Sequence, residues 1–366
     1  MRGHHQLLDV DINITARCNL RCEFCSVSVL PVSKVCDELS LLELERLFVE
    51  LENMGVNTVR IVGGEPFVRR DIEDVIRLLG SFGFFSSILT NGTTIKKRHV
   101  ELIKSCGIDV LALSVDGDTP AVHDASRGKQ KSFEGTLRTI DLCNEIGVRH
   151  RMMTAVTSRS LPHLERIVEF ADKSNFELLN FILLGLGGAA NESPSSFPTY
   201  AEWSRSIVSL TKFLHKSNYS VLVSLLFPHE DEIPIELYDP LERENILPLL
   251  ESVWGINYSN FDRQRWVAQS RCVAGHSSLS ILPNGDVFGC DLMQSLPALK
   301  VGNFRKERLN SIFQNSPLLR RWREVSMVNT SANFDASSRN FSCGQCRAGV
   351  QHQQNIIARL SSRGEF

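Results

Sequence analysis

The chain has 366 residues, 40 basic against 42 acidic side chains for a formal net charge of −2, 42% hydrophobic residues and 10 cysteines. That length carries one large core plus a smaller appended one, and a composition 22% charged without low-complexity tracts excludes disorder and fibrous repeats. The near balance of charge argues against nucleic acid or anionic membrane as a partner, and no apolar run approaches the roughly 20 residues of a transmembrane helix.

From Met1 the chain runs into a strand-like segment at 7–14 without the apolar stretch and cleavage site of a signal peptide, which points to the cytoplasm. In a reducing compartment, clustered thiols speak for metal or redox chemistry rather than disulfides. Apolar runs rich in β-branched residues then alternate with segments of helical period. Strands are expected at 10–14, 58–62, 85–89, 110–115, 150–156 and 178–184, and helices at 40–54, 71–82, 96–106, 132–146, 162–173 and 200–215. Six such units in strict alternation imply an α/β fold, a parallel sheet forming a partial (β/α)6 barrel. Ser40 with Glu43 reads as a capping box, and Ser132 is placed similarly before Glu134. Segments 185–196 and 227–244, the latter acidic with three prolines, read as loops, while 278–282 and 286–289 joined by Pro283-Asn-Gly285 read as a β-hairpin. The expected division is a barrel at 1–190, a barrel-end helix and variable insert at 191–265, and a small C-terminal domain at 266–366.

The cysteines are unevenly spaced. Cys18, Cys22 and Cys25 form C-x3-C-x2-C just past the first strand, whereas Cys272, Cys290, Cys343 and Cys346 gather in the last third. Cys106 and Cys143, in helical stretches, read as small buried hydrophobes, as does the isolated Cys36 of the loop after the first cluster. Three thiolates leave one iron of a [4Fe-4S] cluster open to another ligand. Zinc is the alternative, and spacing alone leaves it open because Cys36 follows nearby.

Arg17-Cys-Asn-Leu-Arg-Cys-Glu-Phe-Cys25, with the aromatic Phe24 before the third cysteine, resembles the cluster loop of the radical S-adenosylmethionine (SAM) enzymes. Further segments at successive strand ends are similar to that family's motifs: Gly63-Gly64-Glu65-Pro66, Leu89-Thr90-Asn91-Gly92, Leu113-Ser114-Val115-Asp116-Gly117 and His123-Asp124-x-x-Arg127-Gly128. The resemblance implies that the three N-terminal cysteines hold a SAM-cleaving [4Fe-4S] cluster. It also implies that Phe24, Gly63, Gly64, Glu65, Pro66, Thr90, Asn91, Ser114, Asp116 and Arg127 surround S-adenosylmethionine, with Ser114 and Arg127 on its carboxylate. Cys272-x12-Gly285-x4-Cys290 followed by Cys343-x2-Cys346 is similar to the first part of the family's SPASM and twitch extensions, but the further cysteines of a full SPASM domain are missing before Phe366. That departure implies a twitch-like domain in which four thiolates ligate one auxiliary [4Fe-4S] cluster, with a structural zinc as the competing metal.

By this resemblance the expected activity is reductive cleavage of S-adenosylmethionine to a 5′-deoxyadenosyl radical that takes hydrogen from a substrate C–H bond, fed by an electron donor such as flavodoxin or ferredoxin. The favoured substrate is a ribosomally made peptide, cross-linked, epimerised or oxidised. An early first strand, which leaves no room for a leader-binding domain, speaks against it, and a sugar or aminocyclitol intermediate is the alternative. A non-enzymatic zinc-binding module is the reading from another class.

Overall fold

The computed structural model describes residues 6–25, 37–184, 196–227, 234–259, 274–294 and 296–324. Cys36, Cys272, Cys343 and Cys346 lie outside the described residues. Strands and helices alternate as expected: β1 (Asp9–Asn13), α1 (Leu41–Asn53), β2 (Thr58–Val62), α2 (Ile72–Leu79), β3 (Phe85–Thr90), α3 (Lys97–Ser105), β4 (Val110–Ser114), α4 (Pro120–Arg127), α5 (Ser132–Ile146), β5 (His150–Val156), α6 (Leu164–Lys173), β6 (Leu178–Leu183) and α7 (Tyr200–Lys216). They are followed by β7 (Leu222–Leu226), α8 (Ile235–Arg243), α9 (Pro248–Trp254), the hairpin β8 (Ser278–Ile281) and β9 (Asp286–Phe288), β10 (Gly302–Asn303), and two short helices, Leu309–Asn315 and Pro317–Glu324.

The ten strands among the described residues form one sheet in the order β10-β9-β8-β1-β2-β3-β4-β5-β6-β7, in which β1 to β7 pair in parallel. The sheet is an open, partial barrel. On one face the strands send Val10, Ile12, Val59, Ile61, Met152 and Leu179 into a single apolar core shared with the helices. The opposite face alternates with it and is polar and charged along β1 and β2, where Asp9, Asp11, Asn13 and Arg60 stand. Parallel strands are usually apolar on both faces, so charge on one of them marks that face for chemistry.

Helix α1 shows how local chemistry sets the frame. Ser40 Oγ accepts from Glu43 N, the Glu43 carboxylate accepts from Ser40 N, and the helix buries Leu44, Leu47, Phe48 and Leu51. Each such burial contributes roughly 1.5–3 kcal/mol.

Three readings are corrected. Segment 235–243 is the helix α8 rather than a loop: Leu237, Tyr238 and Leu241 bury one side of it despite Pro240 in its interior. Proline removes the N–H that would reach the Glu236 carbonyl four residues back, and Trp203 Nε1 donates to that carbonyl at 2.8 Å instead. The segment read as an insert also supplies β7, a seventh parallel strand. Finally, Ser132 is not an N-cap. It begins α5, and the Asp124 carboxylate receives Phe133 N at 2.8 Å, Lys131 N at 2.6 Å and Ser132 Oγ at 2.7 Å. A carboxylate there serves both the orphan N–H groups and the helix dipole.

Candidate radical-chemistry site at the strand ends

The expected site residues gather where β1 to β4 end. The loop 14–25 leaves β1 and is fastened from several sides. Thr15 Oγ1 and Arg17 bond to Glu38, with Arg17 Nη2 2.9 Å from Glu38 Oε2. The buried Arg69 guanidinium donates to the Ile14 carbonyl at 2.8 Å and to the Leu39 carbonyl at 2.7 Å. The fastening roles of Arg17, Glu38 and Arg69 are not evident from the sequence, where the signals are Arg17 opening the Cys18–Cys25 motif and Arg69 standing three residues after Pro66.

Gly63 and Gly64 sit against this loop so closely that a Cβ on either would overlap backbone, the Thr15 oxygen for Gly63 and the Arg17 oxygen for Gly64. Gly64 N donates to the Thr15 carbonyl at 2.7 Å and Glu65 N to that of Arg17 at 2.8 Å. The Glu65 carboxylate is buried and receives Thr90 Oγ1 at 2.6 Å, Asn91 N at 2.8 Å and Phe67 N at 3.1 Å. Burial pushes its pKa up, opposed by those three donors. Pro66 opens a short 3-10 turn. Asn91 then reaches the cluster loop directly, donating to Asn19 Oδ1 at 3.0 Å, while Asn19 donates to Thr93 Oγ1 at 2.8 Å.

Arg127 comes to the same place from the end of α4. Its Nη2 lies 2.8 Å from Asp116 Oδ1 and its Nη1 3.9 Å from Cys22 Sγ, and its guanidinium lies over the Phe24 ring, 5.6 Å from the centroid. Asp116 is fully buried and also receives Ser126 Oγ at 2.7 Å and Ala155 N at 3.0 Å. Burial works against the Arg127 charge, but Asp116 and then Cys22 outweigh it and raise its pKa. His123 accepts from Asp116 N at 3.2 Å, and burial, with Arg127 next, pushes its pKa down to about 4, so the ring is neutral. With Nδ1 accepting, Nε2 carries the proton, and it is buried without a partner. Ser114 stands half-buried at the end of β4.

Burial pushes the Cys18 thiol up to about 11 and raises that of Cys22, where Arg127 is the main opposing influence. Cys22 and Cys25 raise the Cys18 thiol further, and Cys25 does the same to Cys22. Among the described residues no three His, Cys, Asp or Glu side chains converge on a metal-binding point as they stand. The donor set nonetheless fits an iron–sulfur group with a small charged ligand beside it. Three thiols share one tethered loop, a permanent cation faces Cys22, and Arg127 Nε is buried without a partner, free for a further acceptor. Metal binding requires thiolates and would release the protons that burial retains.

At the other edge β8 pairs in parallel with β1, which places Cys290 beyond β9 close to the barrel strands. Asp291 receives Asn13 Nδ2 at 3.1 Å and a short bond from Ser280 Oγ, joining the hairpin to β1. Cys143 is fully buried and Cys106 half-buried in the helical layer, as small apolar side chains are.

A family model described as the Radical SAM superfamily matches residues 12–171, and a SPASM model described as an iron-sulfur cluster-binding domain matches residues 272–347. The chain carries a radical SAM domain and a SPASM domain; it is an enzyme, and those two domains imply [4Fe-4S] clusters and S-adenosylmethionine as its cofactors. It is 25% identical over 340 residues to an AdoMet-dependent heme synthase of Oleidesulfovibrio alaskensis, covering 92% of this chain and 81% of that protein. It is 24% identical over 359 residues to the antilisterial bacteriocin subtilosin biosynthesis protein AlbA of Bacillus subtilis, covering 96% of this chain and 70% of that one. Among solved structures, Streptococcus suis SuiB bound to the precursor peptide SuiA has the same fold, with a TM-score of 0.70 at 18% identity over 94% of this chain and 76% of that chain. Among the described residues no helix is long and apolar enough to cross a membrane.

Proposed function

We propose that this enzyme modifies a ribosomally made peptide. Cys18, Cys22 and Cys25 hold the SAM-cleaving cluster, and Cys272, Cys290, Cys343 and Cys346 hold one auxiliary [4Fe-4S] cluster. The observation that carries the reading is the pairing of the fastened Cys18–Cys25 loop with a C-terminal hairpin built into the same sheet, in a chain that resembles AlbA and SuiB over most of its length.

The bound cluster and S-adenosylmethionine supply a carbon-centred radical able to take hydrogen from an unactivated C–H bond. The protein's part is to hold, orient and keep water away. Gly63 and Gly64 keep the cluster loop against β2, Asn91 and Asn19 fix its far side, and Asp116 holds Arg127 beside Cys22 and Phe24. Arg127 Nε and the Ser114 hydroxyl are the donors offered to the carboxylate of S-adenosylmethionine. The electron comes from a flavodoxin- or ferredoxin-type donor in the cytoplasm. The domains divide near 190 and 265.

A second reading follows from the heme synthase relative, in which the substrate is a tetrapyrrole. The test is anaerobic reconstitution, followed by incubation with reductant, S-adenosylmethionine and peptides encoded beside the gene. Intact protein should hold about eight irons. A peptide should stimulate 5′-deoxyadenosine formation and lose hydrogen by mass spectrometry, and Cys18→Ala with Cys22→Ala and Cys25→Ala should abolish both. Stimulation by heme precursors alone would transfer the assignment to the second reading.

A further inference from the structure

On the face of the sheet opposite the apolar core shared with the helices, the described strands hold two arginines with different surroundings. Arg60 on β2 is committed: its Nε bonds to Asp11 on the neighbouring β1, and its Nη1 lies 3.6 Å from Asp9. Arg151 on β5 is not. It alternates with Met152, which enters the helix-facing core, so it shares the opposite face with Met153 and Ala155. Its register neighbours are Ala112 on β4 and Leu178 on β6, neither of them charged or polar. Among the described residues Arg151 makes no ion pair, and its Nε is buried without a partner. On β6, two residues beyond Leu178 and in register with Met153, stands Asn180, buried, with an Oδ1 that also lacks a partner.

Arg151 is half-buried, and a guanidinium partly withdrawn from water gains from an anion that arrives to pair with it. Burial is the main influence lowering the Arg151 pKa, and Arg60 nearby lowers it further, against a weaker pull from Asp11. Asp11 is already engaged by Arg60. Two polar side chains stand on the same face two residues beyond the register partners of Arg151: Ser114 on β4, already offered to S-adenosylmethionine, and Asn180 on β6, whose amide has both donor and acceptor atoms and so can bind an oxygen anion or its neighbouring N–H.

We propose that Arg151, assisted by the Asn180 side-chain amide, binds a carboxylate of the substrate on the face of the sheet opposite the helix-facing core. This rests on the reading of the chain as a radical SAM enzyme whose substrate enters that face. The carboxylate is an Asp or Glu side chain in a peptide, or a side-chain carboxylate of a tetrapyrrole. A fork of planar donors suits it, and Lys would replace Arg poorly.

The test uses holoenzyme with its clusters reconstituted and S-adenosylmethionine bound. Thermal stabilisation by glutarate is compared with that by its uncharged analogue glutaramide at matched ionic strength. Wild-type protein should respond to glutarate alone. In Arg151→Gln the half-saturating glutarate concentration should rise about tenfold to a hundredfold, with Arg151→Lys in between. An equal response to the two compounds in wild-type protein overturns the proposal without recourse to a variant, as does an unchanged response to glutarate in folded Arg151→Gln. Competition against glutarate by a short peptide with one Glu, or by protoporphyrin, supports the site and identifies the source of the carboxylate. Formation of 5′-deoxyadenosine in the same wild-type samples reports separately on the radical SAM reading, so the two fail independently.

Discussion

A methyl group added at Gly64 would overlap the Arg17 carbonyl oxygen, and both partners are backbone, so neither side can yield by turning a side chain. Gly64→Ala should therefore displace the cluster loop at a cost of roughly 1–3 kcal/mol and lower iron retention, read by thermal unfolding and by iron and sulfide analysis. Gly83→Ala is the control: nothing lies within 4 Å of its added Cβ, and a surface change of that kind should stay within about 0.5 kcal/mol. Equal behaviour of the two variants would remove the close approach as the reason for glycine. At this scale the sequence was most informative where ligands are local. Cys18, Cys22 and Cys25 declare themselves by spacing, and the short segments at 63–66, 90–92 and 114–116 by their order. The commitment of Arg127 to Asp116 was not readable, because it depends on α4 folding back over the end of β4. Nor was the isolation of Arg151, since HRMMTAV shows no contrast between its two faces and the meaning of an arginine there lies in the register of its neighbours.

Among the elements, α8 carries its explanation in one contact. Pro240 leaves the Glu236 carbonyl without its helical donor, and Trp203 Nε1 supplies one from α7. Trp203→Phe should cost about 0.5–1.5 kcal/mol beyond the loss of packing, because the buried bond from Trp203 Nε1 to the Glu236 carbonyl is lost. Adding Pro240→Ala returns an N–H at position 240, so the double variant should recover part of that loss in urea unfolding; strict additivity of the two changes would count against the contact. A proline among acidic residues reads as a loop when a distant tryptophan cannot be foreseen, and β7, as long as β1, β2 and β4, escaped notice because it is an edge strand with no further parallel strand after it to extend the alternation. The α1 terminus, by contrast, was legible as Ser40 and Glu43, and it makes a pH prediction. The Glu43 carboxyl is held at about 2, from 4.5, chiefly by Arg305 and then by Ser40. A depressed carboxyl stabilises the fold above its unfolded pKa and loses that contribution as pH falls through the folded value. Stability should thus decline between pH 4.5 and about 2, and Glu43→Gln should show a shallower acid limb over that window in urea titrations. Parallel acid limbs would show that Arg305 does nothing for Glu43 in solution.

At the scale of the whole molecule, the C-terminal hairpin is a continuation of the barrel sheet. Strand β8 takes the free edge of β1 over four registered pairs, from Asp9 with Ser278 to Ile12 with Ile281, and buries Leu279 and Ile281 in the common core. Beyond it Arg305 bonds to Glu43, Asp37 and the Glu38 carbonyl, and Glu38 in turn holds Arg17 of the cluster loop. Order in that loop is thereby coupled to a segment nearly three hundred residues away, through Glu38 on one side and β1 on the other. Without the segment, β1 would become an exposed edge with unpaired N–H and C=O groups beside an uncovered apolar layer, a template for association with other chains. A chain ended before Ala274 should accordingly give little soluble monomer, and what is recovered should hold its N-terminal cluster poorly in iron analysis and size-exclusion chromatography. Changing only Cys290 to Ala leaves β8, β9 and Arg305 in place, so that variant should stay soluble and keep the N-terminal cluster while losing the auxiliary one. A truncated chain that is monomeric and fully loaded with its N-terminal cluster would mean that the barrel folds alone and that the hairpin is an appendage to it.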